Sequence, residues 1–122
     1  MAGTIAADVL MDGAGNSTAM DNAIYGSAKA WVQFGVSGSV CTINASYNVS
    51  SVTYVGSGNY TINYTNAFAD THYSASGITN QNNYNAYMCL QTLNTSSTTV
   101  IVRNAANNAY VDNSIVCFTA TR

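Results

Sequence analysis

From residue 28 onward, apolar and polar residues alternate along the chain with a period of two. The clearest run places Tyr60, Ile62 and Tyr64 between polar neighbours, and 30–36 follows the same pattern. Successive side chains of a β-strand point to opposite faces of the sheet, so this period predicts strands with one buried face. The run 49–55 is less regular and indicates a bulged strand. Further strand-like runs cover 41–45, 73–77, 84–90, 100–102 and 115–118.

Clusters of glycine, asparagine and serine separate these runs. Glycine and asparagine tolerate the positive φ angles that tight turns between strands require. Short strands repeated about every 8–12 residues are typical of antiparallel sandwiches and barrels. We therefore expect an all-β fold, an antiparallel, jelly-roll-like β-sandwich. The predicted turns are 35–38, 56–59, 80–83, 94–97 and 104–108.

Residues 1–27 differ from the rest of the chain. They combine small residues and aspartates with two short apolar clusters, 5–11 and 23–25, which are separated by glycines. Helix-favouring alanines compete there with glycine breaks, so neither a short helix nor a short strand is favoured. We expect 1–27 to be an N-terminal arm or attachment segment and 28–122 to be a single β-sandwich head domain.

The chain carries very little charge. Only 7% of its residues are charged, its basic residues are Lys29, Arg103 and Arg122, and its net charge is −2. Nucleic-acid binding depends largely on lysine and arginine, so we expect no nucleic-acid partner. No run approaches the roughly 20 apolar residues of a membrane span, so we expect no membrane insertion. A surface with so few charges favours a protein that functions inside an assembly.

The N-terminal sequence and the cysteines predict synthesis in a reducing cytoplasm. The start of the chain lacks a basic region and carries Asp8 and Asp12, so we expect no secretory signal. The three cysteines are far apart and odd in number, which argues against a disulfide framework and favours buried thiols. These cysteines are Cys41, Cys89 and Cys117.

Four chemical sites can be imagined, and the sequence favours none of them. His72 and Asp70 lack a marked nucleophile, and they share one face of a strand, where a surface hydrogen bond is the simpler interpretation. A Cys3His zinc site lacks closely paired ligands, and 12–16 with Asp21 lacks the acidic pattern of a calcium loop. Glycoside hydrolysis would require Asp70 and Asp112 to face each other. We expect a non-enzymatic protein without cofactor or metal.

The tyrosines are more informative than the charged residues. There are nine, too many for the core of so small a domain. A tyrosine ring with a polar tip suits cross-strand pairing within a sheet, contacts between subunits, or the binding of an uncharged sugar. These alternatives stay open. The candidate residues for contact with a ligand or partner are Tyr84, Asn85, Tyr87, Asn107, Asn108 and Tyr110.

The segment 28–73 carries an ordered set of motifs. These are Lys29-Ala30-Trp31, Tyr47-Asn48-Val49-Ser50-Ser51 and Gly56-Ser57-Gly58-Asn59-Tyr60-Thr61, followed by Phe68-Ala69-Asp70-Thr71-His72-Tyr73. In this segment, a little over a third of its length, the chain resembles short tail-fibre-like and virion structural proteins of tailed bacteriophages, of the marine and cyanophage type. One departure is Asn44, where such proteins often carry a basic residue.

The resemblance implies a place on the surface of the virion, on capsid or tail, and no catalytic residues. Fibres and decorations are cyclic oligomers, most often with threefold symmetry, so we expect a homotrimer. The arm 1–27 would bind other virion proteins, and the loops at the far end would make the remaining contacts. The function we expect is a small homotrimeric fibre or a capsid decoration or cement component. The alternative is a tail-fibre adhesin that binds host surface glycans through its Tyr- and Asn-rich loops.

Overall fold

The protein is built from antiparallel β-strands. The computed structural model describes residues 3, 6–20, 23, 26–80 and 85–122, and each statement below concerns these residues. The strands are β1 Val9–Met11, β2 Ser17–Ala19, β3 Ala28–Ser37, β4 Val40–Tyr47, β5 Val49–Gly56, β6 Asn59–Tyr64, β7 Ser74–Thr79, β8 Ala86–Leu93, β9 Ser97–Asn104 and β10 Val116–Thr121.

Two four-stranded sheets face each other across one apolar core. Their strand orders are β4-β3-β10-β7 and β5-β6-β9-β8, and all pairings are antiparallel. The rings of Phe34 in the first sheet and Tyr60 in the second meet edge to face, with centroids 5.3 Å apart. Two sheets that bury their inner faces against each other in this way form a β-sandwich.

The period-two pattern correctly predicts which face of each strand is buried. In β3 and β6 the alternate residues Phe34, Tyr60 and Ile62 have no solvent exposure, whereas the intervening positions remain accessible. The irregular run at β5 is bulged, with register shifts near Ser51 and Val55 in its pairing with β6. The strands predicted for the second half of the chain are also confirmed, as β7, β8, β9 and β10.

One predicted turn is misplaced. Gly35 to Ser37 continue β3, and the chain reverses at Gly38 and Ser39, whose φ angles are 58° and 65°. Two successive positive φ angles match the two-residue turn whose twist suits a hairpin. Gly35 has a different role, because a Cβ there would lie 2.5 Å from the Ser114 carbonyl oxygen. The glycine marks a close approach of backbones and not a turn.

The jelly-roll part of the prediction is wrong. A jelly roll nests two Greek keys, so strands distant in sequence pair throughout both sheets. Here β3–β4, β5–β6 and β8–β9 are hairpins of consecutive strands. Tight turns at 38–39 and 57–58 hold the first two hairpins together, which leaves no room for a crossing strand between their members.

The sandwich has two distinct ends. At the arm end, β3 begins beside the last residue of β10, and Asn48 alone connects β4 to β5. The connection 65–73 also lies at this end. At the loop end lie the two tight turns, Asn80, Asn85 and the segment 105–115. Ser27 therefore leads into β3 at the end opposite the segment 105–115. The predicted turn 80–83 falls largely on 81–84, which lie outside the described residues.

Within the arm, β1 and β2 form a small antiparallel hairpin. Asp12 shapes its turn, since its carboxylate accepts hydrogen bonds from the backbone nitrogens of Ala14 and Asn16, each at 2.9 Å. The side chain of Asn16 donates a further bond at 2.8 Å, and it is the chief reason the pKa of Asp12 is lowered. Among the described residues, no helix has the length and apolar character needed to cross a membrane.

Candidate functional site

Five of the six predicted contact residues come together at the loop end of the sandwich. Ala86 of β8 pairs with Asn104 of β9, so the segments that precede and follow these residues are neighbours. The backbone nitrogen of Ala105 donates to the carbonyl oxygen of Asn85 at 2.7 Å and fastens the two segments together. Tyr84 lies outside the described residues, whereas Asn85, Tyr87, Asn107, Asn108 and Tyr110 all lie at this end.

The centre of the site is a tyrosine–arginine cluster, formed by Tyr87, Arg103, Asn108 and Tyr110. The Tyr87 hydroxyl donates to Oδ1 of Asn108 at 2.6 Å, and Nη2 of Arg103 donates to the Tyr110 hydroxyl oxygen at 2.9 Å. The guanidinium carbon also lies 4.5 Å from the centroid of the Tyr110 ring. Planar contact between a guanidinium and an aromatic ring orders both groups on the surface.

Sheet register and loop geometry position these side chains. Tyr87 and Arg103 are cross-strand partners in β8 and β9, so they project from the same face. Asn108 has a φ of 59°, which asparagine adopts more readily than most residues, and its backbone nitrogen donates to the Asn104 carbonyl at 2.8 Å. The side chain of Asn107 accepts a bond from the Ala109 nitrogen at 3.1 Å, so it supports the loop.

The exposed part of the cluster is aromatic and amphipathic. Tyr87 is 38% exposed and Tyr110 is 45% exposed, and both side chains combine an aromatic ring with a hydroxyl group. Such a surface can stack on the apolar face of a sugar ring or pack against another protein. Sequence reasoning missed Arg103. A usable signal was present, because it is one of only three basic residues and ends a strand-like run beside the predicted loop.

A half-buried carboxylate anchors the loop that carries Asn107, Asn108 and Tyr110. Oδ1 of Asp112 accepts hydrogen bonds from the Tyr60 hydroxyl at 2.7 Å and from the Gly58 nitrogen at 2.8 Å. Its other oxygen accepts a bond from the Tyr54 hydroxyl at 3.0 Å. These hydrogen bonds hold the segment 105–115 against the β5–β6 hairpin. They thereby fix the position of the loop that carries the cluster residues.

Burial and the Asp112 carboxylate together raise the pKa values of two nearby groups, the Tyr60 hydroxyl and the Cys41 thiol. Burial raises the pKa of the Tyr60 hydroxyl well above its ordinary value of 10.0, and the hydrogen bond to the Asp112 carboxylate adds to the shift. Burial is likewise the main cause of the raised pKa of the Cys41 thiol, with the charge of Asp112 contributing. Both groups therefore remain neutral near neutral pH.

The structure separates the carboxylates of the imagined glycosidase. Asp70 binds Arg122 at the arm end, with Oδ2 2.7 Å from Nη2, whereas Asp112 binds the turn at the loop end. A six-residue strand such as β6 spans about 20 Å, more than the roughly 5–9.5 Å between glycosidase carboxylates. Asp70 instead accepts a hydrogen bond from the backbone nitrogen of His72 at 2.8 Å. The two residues lie in the connection before β7, so the expectation that they share one face of a strand is wrong.

The cysteines are free thiols on three different strands. Each is partly exposed, so the prediction of three buried thiols is wrong. Cys117 shows the reason, because it alternates in β10 with the buried residues Val116 and Phe118 and therefore faces outward. Over 6–20, 26–80 and 85–122, no three histidine, cysteine or acidic side chains group as metal ligands. Asp21, named with the calcium-loop alternative, lies outside the described residues.

The tyrosines divide between core and surface. Tyr60, Tyr64 and Tyr73 are buried, and the last two belong to an aromatic cluster in which the Phe68 and Tyr73 rings stack at 4.2 Å. Tyr47, Tyr87 and Tyr110 are exposed. The expectation that the tyrosines do not all fit in the core is therefore confirmed.

Comparison of the chain with protein-family models, with curated proteins and with solved structures found no match.

Proposed function

We propose that this chain is a non-enzymatic structural protein on the surface of a bacteriophage particle. It acts there as a small homotrimeric fibre or as a capsid decoration or cement component. The resemblance of 28–73 to short phage virion proteins suggests the location. The observation that carries the proposal is the exposed apolar strand in the arm.

This strand, β1, has the composition of a buried element but is open to solvent. Val9, Leu10 and Met11 are 50%, 52% and 64% exposed, and the strand pairs with β2. Full burial of such a side chain stabilises by about 1.5–3 kcal/mol, so covering the remaining half of each gives about 1 kcal/mol. Docking β1 on another virion protein would gain about 3 kcal/mol per subunit, a useful contribution to attachment.

The body of the sandwich also suits an assembly. Val40, Val55 and Ile78 are 60%, 59% and 72% exposed, and the chain has few charges to keep copies apart. Apolar and uncharged polar surfaces associate without the cost of desolvating ions. Closed cyclic symmetry is the usual arrangement of such associations, and a threefold axis is the form expected for a fibre.

The two ends of the sandwich support this division of roles. The arm enters at one end, and the tyrosine–arginine cluster lies at the other. A subunit attached through its arm would therefore present the cluster outward. This geometry suits both a decoration and a short fibre.

Attachment through β1 is tested with particles that lack the protein. Purified wild-type chain and a Leu10→Ser variant are added, and the fraction that sediments with particles is measured. We expect the variant to bind about tenfold more weakly, from a loss of about 1–1.5 kcal/mol. The matched control is Leu90→Ser, because Leu90 is 46% exposed on the sandwich. Equal retention of both variants would refute docking through β1.

A second function is favoured by the tyrosine–arginine cluster itself. In an adhesin, Tyr87 and Tyr110 would stack on host surface glycans, with Asn108 and Arg103 bonding to sugar hydroxyls. Binding of the purified protein to intact host cells should fall when Tyr110 is changed to alanine. Leu90→Ala serves as control, since Leu90 and Tyr110 are 46% and 45% exposed. Unchanged adsorption by Tyr110→Ala would exclude the adhesin function.

A further inference from the structure

A second candidate site lies at the arm end, far from the tyrosine–arginine cluster. It is an open cleft of about 490 Å³, within the range of small-molecule sites. Its lining brings together the start of β3, the β4–β5 connection, the segment after β6 and the end of β10. The residues that matter here are Lys29, Tyr47, Asn48, Asn66, Phe68 and Arg122.

A β-bulge presents Lys29 to the cleft. In the pairing of β3 with β10, Ala30 lies opposite Ala120 and Ala28 lies opposite Thr121, so Lys29 is the additional residue. A bulge redirects the side chain of its additional residue and is over-represented beside functional sites. The carbonyl oxygen of Lys29 accepts a hydrogen bond from the Asn48 side chain at 3.1 Å, outside the sheet ladder.

Asn48 makes the base of the cleft rigid. Its φ is 55°, a left-handed conformation that non-glycine residues adopt only where the surroundings support it. Its Nδ2 also donates to the Asn66 carbonyl at 3.1 Å, and its Oδ1 accepts a bond from the Asn66 nitrogen at 2.8 Å. One side chain thereby fixes three of the segments that surround the cleft.

Arg122 is held at the cleft by an acidic neighbour. Its Nη2 lies 2.7 Å from Oδ2 of Asp70. A guanidinium has five N–H donors, so one such contact fixes its position and leaves donors for a ligand. The Nζ of Lys29 donates to the Ser27 hydroxyl at 2.9 Å, an exposed contact that a ligand can replace.

The distribution of charge selects the ligand. Two of the three basic residues in the chain line this one cleft, although the net charge of the chain is −2. Among the side chains, Lys29 and Arg122 together with Asp70 leave a local balance of one positive charge. One carboxylate neutralises that balance, whereas a phosphate dianion would leave an excess negative charge. Arginine also suits the planar, two-oxygen geometry of a carboxylate.

The remaining walls suit a ring. The Phe68 ring is supported from behind by Tyr73 and meets Tyr64 edge to face, with centroids 4.9 Å apart. Tyr47 is 58% exposed and provides a second aromatic surface with a polar tip. Aromatic faces beside a small number of fixed polar groups are the usual composition of sites for small organic ligands.

We infer that this cleft binds an acidic saccharide, a sugar ring that carries a carboxylate. The carboxylate lies between Lys29 and Arg122, and the ring packs against Tyr47 and Phe68. The site is distinct from the tyrosine–arginine cluster. It does not depend on the location of the protein on a virion, so failure of either proposal leaves the other intact.

The test is a titration of the full-length, isotopically labelled protein followed by amide chemical shifts. D-Glucuronate is the probe, D-glucose is its neutral counterpart, and acetate supplies the carboxylate without a ring. We expect glucuronate to shift amides of Lys29, Asn48 and Asn66 with a dissociation constant on the order of 1 mM. Glucose and acetate should each bind at least about tenfold more weakly.

Charge variants locate the binding. Lys29→Gln and Arg122→Gln should each weaken glucuronate binding about tenfold, whereas Leu90→Gln, a change on the exposed surface of β8 outside both sites, should leave it unchanged. A melting temperature is measured for each variant to verify folding. Equal binding of glucose, equal binding of acetate, or an equal loss in Leu90→Gln would each overturn the inference. Absence of any glucuronate-dependent shift at these amides would do the same.

Discussion

Replacing Asp112 with alanine should destabilise the protein severely, although the carboxylate lies on a loop. The change leaves two buried hydrogen-bond donors without their acceptor, the Tyr60 hydroxyl and the Gly58 nitrogen. Each unsatisfied buried donor costs about 1–3 kcal/mol. Tyr54 is half-buried, so its hydroxyl can bond to water instead. The expected loss is therefore about 2–6 kcal/mol, a large part of the 5–15 kcal/mol typical of a domain.

Urea unfolding followed by the fluorescence of the single tryptophan, Trp31, gives the free energy of unfolding. Asp112→Asn keeps one acceptor and loses the charge, so it should cost about 1 kcal/mol. Asp70→Ala is the control on an exposed carboxylate, and it should change stability by less than about 1 kcal/mol.

A double-mutant cycle isolates the central contact. If the bond between Asp112 and Tyr60 accounts for the loss, Tyr60→Phe and Asp112→Ala together should cost at least about 1 kcal/mol less than the sum of the single changes. A coupling energy near zero would refute this reasoning. So would a cost below about 1 kcal/mol for Asp112→Ala.

Three further predictions concern turns and titration. Gly58→Ala should cost more than about 2 kcal/mol in urea unfolding, because the added Cβ would lie 2.4 Å from the Val102 carbonyl oxygen at a φ of 62°; a neutral effect would contradict that contact. Ser39→Asn should stabilise the protein by about 0.5 kcal/mol and raise its melting temperature slightly, because asparagine tolerates the φ of 65° better than serine. A lower melting temperature would contradict the assigned turn. Burial raises the pKa of Tyr60 and Tyr64 above the ordinary 10.0, so their contribution is complete below about pH 10 and is lost as pH rises through the raised folded values. Melting temperatures should therefore fall from about pH 10 upward, and Tyr60→Phe should lessen the fall; a flat profile would refute the buried phenols.

The strands could be predicted from sequence because the signal is local. Alternation at Tyr60, Ile62 and Tyr64 follows directly from side chains that point to opposite faces of a strand. Strand order is not local, and the jelly-roll expectation failed because hairpin turns at 38–39 and 57–58 decided which strands pair. Gly35 was misread because a close backbone contact and a turn select the same residue.

The candidate sites were predictable only in part, for the same reason. The Tyr- and Asn-rich loops predicted an exposed contact surface, and Tyr87, Asn108 and Tyr110 do meet there. Arg103 was missed because its contact with Tyr110 depends on the path of the loop. The arm-end cleft has no sequence signature, since a bulge at Lys29 and sheet pairing bring together residues from opposite ends of the chain.

The most direct test of the proposed virion location is gold-labelled antibody imaging of intact bacteriophage particles from the source of this sequence. We expect label at regular positions on the particle. Label on capsid faces or vertices would identify a decoration or head fibre, and label on the tail would identify a fibre component. Absence of label from all intact particles, with an antibody that binds the purified protein, would contradict the proposed function.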